Sequence, residues 1–307
     1  MGSSVVMSAV RPDLPALLRS TGGPPVTRFA PSPTGYLHLG HVVNAIYVWG
    51  VARAAGGRVV LRLEDHDRLR CRPLYEAALL EDLDWLGFVA DEGRTPPARQ
   101  SDHTAAFEAA LAALDREGRV YACDCSRRQI GPAAYDGRCR ERGLAPEPGR
   151  GLRVRLDDAQ VRADDVVLGP MRERPAADYG DVLVKDRDGH WTYQFAVTVD
   201  DARDGITLVV RGADLVTSTG RQVALAGLLG RAVPPAFLHH PLVMHPDGRK
   251  LSKSSGDTGI RALRERGCSA GEVIGLAAAA VGLIEAPRPL PASEVAWLFA
   301  GSGGGHR

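Results

Sequence analysis

The chain has 307 residues, 44% of them apolar and 24% charged, which fits a globular protein of one large or two modest domains with a self-sufficient core. Its 38 basic and 37 acidic side chains leave a net charge of +1, so bulk charge offers nucleic acid no general attraction and any RNA contact rests on local basic patches. Five cysteines in no regular framework, and no apolar leader before a cleavage site, point to a reducing cytosol.

Residues 1–25 read as a flexible extension. Residues 26–30 (VTRFA) predict a strand, followed by a loop rich in Pro and Gly. Leu39 to Ala55 is apolar and of helical length, Gly56-Gly57 stops it, and residues 58–64 (RVVLRLE) predict a second strand. Strand, helix and strand in so short a span make a βαβ unit with a right-handed crossover. Helices are predicted at Pro73–Leu86 and Asp102–Glu117, each followed by Gly. Residues 119–205 change character. Three cysteines and many arginines come first, then β-like runs (LRVRL, DVLVKD, WTYQFAVTVDD) between turn residues, which predict a mixed or antiparallel insertion. Residues 206–211 (ITLVVR) return as a strand, Thr217–Leu229 as a helix, and a loop with Lys250-Leu-Ser-Lys-Ser254 closes the 206–260 segment. Residues 261–300 read as a helical stem and 301–307 as a flexible tail. The longest apolar run, Val273 to Ile284, falls short of the roughly 20 residues a membrane span needs.

Four groupings carry chemistry. Arg28-Phe-Ala-Pro-Ser-Pro-Thr-Gly-Tyr-Leu-His-Leu-Gly-His41 sets His38 and His41 at the start of a helix, where unpaired backbone N–H groups and the helix dipole favour anions. Gly40 lets a nucleotide approach the backbone, and the imidazoles can donate to a triphosphate. Lys250 and Lys253, in a loop between glycines, are spaced to bracket a pyrophosphate. Arg28, Arg211 and Glu64 all fall near the ends of predicted core strands, and two cations with one anion suit an α-amino dicarboxylate. Cys123, Cys125 and Cys139 lie within 17 residues and supply three of the four thiolate or nitrogen ligands zinc prefers. Taken singly, these patterns also fit surface histidines, a solvated basic loop, surface ion pairs and small buried cysteines.

Taken together they do not. RFAPSPTGYLHLGH and KLSKS, about 210 residues apart, resemble the two signature motifs of class I aminoacyl-tRNA synthetases, and RFAPSPTG with RLED at 62–65 resembles the glutamyl subgroup. The resemblance implies an α/β fold: a Rossmann nucleotide-binding domain in two halves (26–118 and 206–260), a zinc-bearing insertion, a short helical stem and no anticodon-binding domain. It implies activation of L-glutamate with ATP and Mg²⁺. Arg28, Ala30, Ser32, Glu64, Tyr193 and Arg211 would hold glutamate. His38, Gly40, His41 and Lys253 would hold ATP, and His38, His41, Lys250 and Lys253 would carry the chemistry. Glu64 would take the α-ammonium, with the two arginines dividing the carboxylates.

CxC…YDGxC resembles the metal site of a short glutamyl-synthetase-like family, which implies a structural zinc with Tyr135 as fourth ligand. Water and Asp136 are the alternatives. The metal would pin a loop whose Arg127, Arg128, Arg138 and Arg140 are candidates for RNA phosphates. With only about 50 residues after Ser254, the chain resembles truncated paralogues that esterify queuosine, the modified wobble base of tRNA(Asp), and would meet that anticodon stem-loop as a monomer. A truncated enzyme charging a tRNA 3′ end and a non-catalytic zinc-dependent RNA-binding paralogue are the rival readings.

Overall fold

The computed structural model describes residues 10–66, 70–131, 134–244 and 259–300. Its first element departs from expectation. Leu14–Thr21 (α1) is a helix with Leu17 wholly buried, so this part of the presumed extension is anchored in the core. Leu14 and Leu18 pack beside Leu17 on the same core, but at eight residues the helix is too short for its period to stand out in the sequence.

Val26–Phe29 (β1) and Arg58–Leu61 (β2) pair in parallel and are joined by Leu39–Ala54 (α2). Helix α2 buries eleven of its sixteen residues and is apolar on nearly every side, so it lies inside the molecule. At Gly50 any β-carbon would collide with the Phe299 ring, and this close approach lets the C-terminal segment lie directly on α2. Pro73–Leu86 (α3) and Thr104–Arg116 (α4) follow; α3 matches its predicted bounds.

The insertion comes next. Val120–Cys123 (β3), Gly151–Val154 (β4) and Val182–Lys185 (β7) form an antiparallel sheet in the order β3-β4-β7. Between them lie Arg127–Ile130 (α5), Val161–Asp165 (β5), Gly169–Glu173 (β6) and Pro175–Asp178 (α6). The hairpin β5–β6 does not close on the insertion's own sheet. It extends a sheet of order β6-β5-β9-β8, in which Leu208–Gly212 (β8) and Ala236–His240 (β9) are parallel. Strand β9 (AFLHH) was not predicted; its two histidines disguise a fully buried strand.

The run WTYQFAVTVDD, expected to be extended, is instead the helix Tyr193–Arg203 (α7). A helix buried along most of its length has no polar face to display a 3.6-residue period, and its β-branched and aromatic residues imitate a strand. Phe195, Ala196 and Val199 pack with Phe107, Leu114, Val154 and Val184 in a second core. Thr219–Leu228 (α8), Ile260–Glu265 (α9) and Ala270–Ala280 (α10) complete the fold. No helix among the described residues is long and apolar enough to cross a membrane. The α/β architecture with mixed sheets agrees with expectation.

Strand β1 runs beside β8: the Thr207 N–H donates to the Val26 carbonyl (2.9 Å), and Arg28 donates to the Val210 carbonyl (3.3 Å). The carboxyl ends of β1, β2, β8 and β9 therefore open onto one side, where open parallel sheets bind their ligands.

Candidate active site

A cavity of about 610 Å³ lies at those strand ends. The segment after β1 lines it with Ala30 and Ser32, β2 leads to Glu64, β8 ends in Arg211, β9 ends in His240, and α2 begins with His38, Gly40 and His41. Arg28 and Tyr193 complete the set. One cavity thus gathers every glutamate candidate and the three N-terminal nucleotide candidates. Lys250 and Lys253 lie outside the described residues. On one flank of that segment Val243 lines the cavity; on the other Gly259 is bridged to His38 and the Ile260 N–H donates to the Leu37 carbonyl (3.0 Å).

The two histidines form a reciprocal cap on α2. His38 Nδ1 accepts from the Gly40 N–H (3.1 Å) and the His38 N–H donates to His41 Nδ1 (3.1 Å), with ring centroids 4.0 Å apart. Each Nδ1 accepts a backbone proton, so in the neutral imidazoles the ring proton sits on Nε2 and each ring keeps a donor on its far side. A β-carbon at Gly40 would stand 2.9 Å from His38 Cε1, so any larger residue would displace the His38 ring.

Arg28 is buried and donates to Asp201 Oδ1 (3.0 Å). Arg62, fully buried, donates to the same oxygen (2.7 Å), to Asp204 (2.8 Å) and to Glu64 (3.3 Å). Burial alone would raise the Asp201 pKa, but Arg28 and Arg62 outweigh it and hold the carboxyl below its ordinary value. Glu64 is the opposite case. Burial pushes its pKa up, and Arg62, Arg28 and His66 do not fully offset that. The Glu64 carboxylate is therefore short of positive charge, which a ligand ammonium would supply.

Arg211 lacks the carboxylate that Arg28 has. Its guanidinium donates to His239 Nε2 (3.0 Å), Gln222 Oε1 (2.7 Å) and Thr219 Oγ1 (2.8 Å), all neutral acceptors. His239 Nδ1 bonds Asp165 (2.6 Å), which fixes its proton there and leaves Nε2 as acceptor. Burial and then Arg211 keep the His239 pKa low, against Asp165. Burial also lowers the Arg211 pKa, with Tyr193 opposing. A buried guanidinium with no ion pair among the described residues suits a ligand carboxylate.

In the insertion, the sulfurs of Cys123, Cys125 and Cys139 lie within 4.8 Å of one another. The Tyr135 hydroxyl joins them, 3.6 Å from Cys123 Sγ and accepting from the Cys139 N–H (3.1 Å). Arg153 donates to Cys123 Sγ (3.3 Å) and lies over the Tyr135 ring. Asp136 is occupied elsewhere: it is exposed and paired with Arg138 at 2.9 Å. Burial pushes the Cys125 thiol up to about 12, so three neighbouring thiolates need a cation. The donor set fits a tetrahedral zinc ion. Of the basic residues in this loop, Arg140 is bound to the buried Asp181 (2.6 and 2.8 Å) and so has a structural task, while Arg127 and Arg128 stand exposed.

Sequence reasoning passed over several groups. Arg62, Asp201, Asp165 and His239 orient the binding arginines, yet their partners lie far away along the chain, so no local pattern reveals them. His66 also lines the cavity; its place two positions after Glu64 was the available signal.

The family described as "tRNA synthetases class I (E and Q), catalytic domain" matches residues 25–270. The chain belongs to this family and is a ligase. A relative in Symbiobacterium thermophilum, 42% identical over 89% of this chain and 91% of its own length, is named glutamyl-Q tRNA(Asp) synthetase. One in Thiobacillus denitrificans with the same name is 46% identical over 79% of this chain and 81% of its own. Among solved structures, the glutamate-tRNA synthetase of Elizabethkingia anophelis superposes with a TM-score of 0.72 at 25% identity, covering 88% of this chain. The chain spans 64% of the length of that structure. A glutamate tRNA ligase from Elizabethkingia meningosepticum in complex with its amino acid has the same TM-score and identity.

Proposed function

We propose that the chain joins L-glutamate to AMP as glutamyl-adenylate, consuming MgATP, and passes the glutamyl group to the cyclopentenediol of queuosine in the anticodon loop of tRNA(Asp). The observation that carries this reading is the single cavity in which a paired guanidinium (Arg28), a guanidinium with no ion pair among the described residues (Arg211) and a charge-deficient carboxylate (Glu64) face two histidines at a helix N-terminus. The shared name of relatives that match most of both chains supports queuosine as the acceptor.

Glu64 takes the substrate ammonium, and Arg28 and Arg211 take the two carboxylates. Ala30, Ser32 and Tyr193 complete that pocket. His38 and His41 donate through Nε2–H to the phosphates, and Gly40 admits the nucleotide. Lys250 and Lys253 stabilise the departing pyrophosphate; the flanks of their segment at the cavity rim support that role. Charge stabilisation of this kind acts where charge develops in the transition state. Cys123, Cys125, Tyr135 and Cys139 hold a structural zinc that cross-links the insertion. The protein acts in the cytosol as a monomer.

The test is glutamate-dependent ATP–pyrophosphate exchange without tRNA, followed by transfer of labelled glutamate to tRNA(Asp) with and without queuosine. Exchange and queuosine-dependent transfer are expected. Absent exchange overturns the activation step, and equal transfer to queuosine-free tRNA overturns the acceptor.

A further inference from the structure

Beyond the carboxyl end of β2 a further histidine stands beside the glutamate pocket. His66 lines the cavity, with its ring centroid 6.3 Å from that of Tyr193. Its Nδ1 is 2.7 Å from Gln100 Oε1. Gln100 is buried, and its Nε2 donates to Asp200 Oδ2 at 2.8 Å. A carboxylate only accepts, so the amide nitrogen must face Asp200 and the amide oxygen must face His66. Hence His66 Nδ1 carries the ring proton and donates it to Gln100, which leaves Nε2 as a lone-pair acceptor. Among the described residues Nε2 has no hydrogen-bond partner. Asp200 is itself held: His103 Nδ1 lies 2.9 Å from its other oxygen and Arg62 Nε 3.9 Å from Oδ2.

A histidine whose tautomer is set by a buried amide and carboxylate behind it is built like a general base. His38 and His41 have the reverse tautomer, with Nδ1 as acceptor and Nε2 as donor. The cavity therefore holds His38 and His41 with Nε2 as donor and His66 with Nε2 as acceptor, while His240, which also lines it, gives Nδ1–H to the Pro241 carbonyl (2.8 Å) and takes the Asn44 amide on Nε2 (3.0 Å). Activation needs no proton acceptor, because the glutamate carboxylate attacks the α-phosphorus already ionised. Transfer does need one, because its nucleophile is a hydroxyl.

We propose that His66 is the general base of the transfer step. The acceptor hydroxyl oxygen bonds to the carbonyl carbon of glutamyl-adenylate, the bond from that carbon to the phosphate oxygen breaks, AMP leaves with the electron pair, and the hydroxyl proton moves to His66 Nε2. Gln100 and Asp200 are positioning residues. The assignment rests on the proposed function, since it presupposes an adenylate whose reacting carbon lies next to the ammonium held by Glu64.

The experiment compares two half-reactions in His66→Gln, which keeps a polar side chain but has no base. Single-turnover transfer from preformed adenylate to queuosine-bearing tRNA(Asp) is expected to fall by about 10²–10⁴, while pyrophosphate exchange changes by less than about tenfold. Trapping the adenylate with hydroxylamine, a nucleophile that needs no base, is expected to proceed at close to the unmodified rate. Gln100→Leu, which unties the ring, is expected to slow transfer and spare exchange as well. Equal transfer rates for His66→Gln and the unmodified protein overturn the proposal, and so does a loss of exchange as large as the loss of transfer. If the unmodified protein itself transfers nothing, the failure lies with the proposed function rather than with His66.

Discussion

Replacing Gly40 by Ala tests the capped histidine pair with one methyl group. The methyl carbon would lie 2.9 Å from His38 Cε1 and 3.1 Å from Nδ1, where carbon atoms prefer about 3.5–4.0 Å. The His38 ring must therefore retreat by roughly half an ångström to one ångström. That stretches or breaks the 3.1 Å bond from the Gly40 N–H and shifts a ring whose centroid is 4.0 Å from that of His41. Loss of the cap costs about 1 kcal/mol, a fall in Tm of about 2–4 °C. A misplacement of about 1 Å in a catalytic group costs on the order of a hundredfold in rate. Pyrophosphate exchange at saturating ATP and glutamate is expected to fall by about ten- to a hundredfold in a protein that still melts cooperatively. An exchange rate within twofold of the unmodified protein would refute the placement of His38 at the reacting phosphates.

Other expectations follow from the buried charges and the cysteine cluster. Asp201→Asn leaves Arg28 and Arg62 without their shared carboxylate and should cost about 3–5 kcal/mol, read as a lower urea midpoint together with a raised KM for glutamate; unchanged stability would deny the network its role. Because the Asp201 pKa is lowered on folding, the stability it contributes is full above the ordinary carboxylate range and is lost as pH falls through its depressed value, so the acid limb of an unfolding titration should flatten in this variant. The Glu64 pKa is raised on folding, so its ionised form, which binds an ammonium, is lost on acidification before an ordinary glutamate would be; KM for glutamate should climb on acidification before the ordinary carboxylate range is reached, and Glu64→Gln should bind weakly with no such slope. Purified protein should carry one zinc per chain, with the metal lost in Cys139→Ser and bound more weakly in Tyr135→Phe; equal affinity in Tyr135→Phe, measured by competition with a chelator, would remove the tyrosine from the ligand set.

The chemistry-bearing residues were legible because they sit in dense local runs. His38, Gly40 and His41 share four positions, and Cys123, Cys125, Tyr135 and Cys139 share seventeen. Helix α3 was legible because Pro73 and Gly87 punctuate it. The helix Tyr193–Arg203 was not, since burial removes the polar face that would betray its period. Strand β9 was hidden by its paired histidines, which are polar letters in a wholly buried run.

Residue types and their spacing along the chain were enough to determine an α/β nucleotide-binding architecture and the charges a diacid with an amino group would need. They could not say which charges are already spoken for, because hydrogen-bond partners are chosen across long sequence separations. Only the folded chain pairs Arg28 with Asp201, 173 positions away, while leaving Arg211 among His239, Gln222 and Thr219. Only there does Asp200 turn Gln100, and Gln100 turn His66, so that His66 accepts a proton where His38 and His41 donate. An imidazole's role depends on its tautomer, and the tautomer depends on a neighbour the sequence does not display.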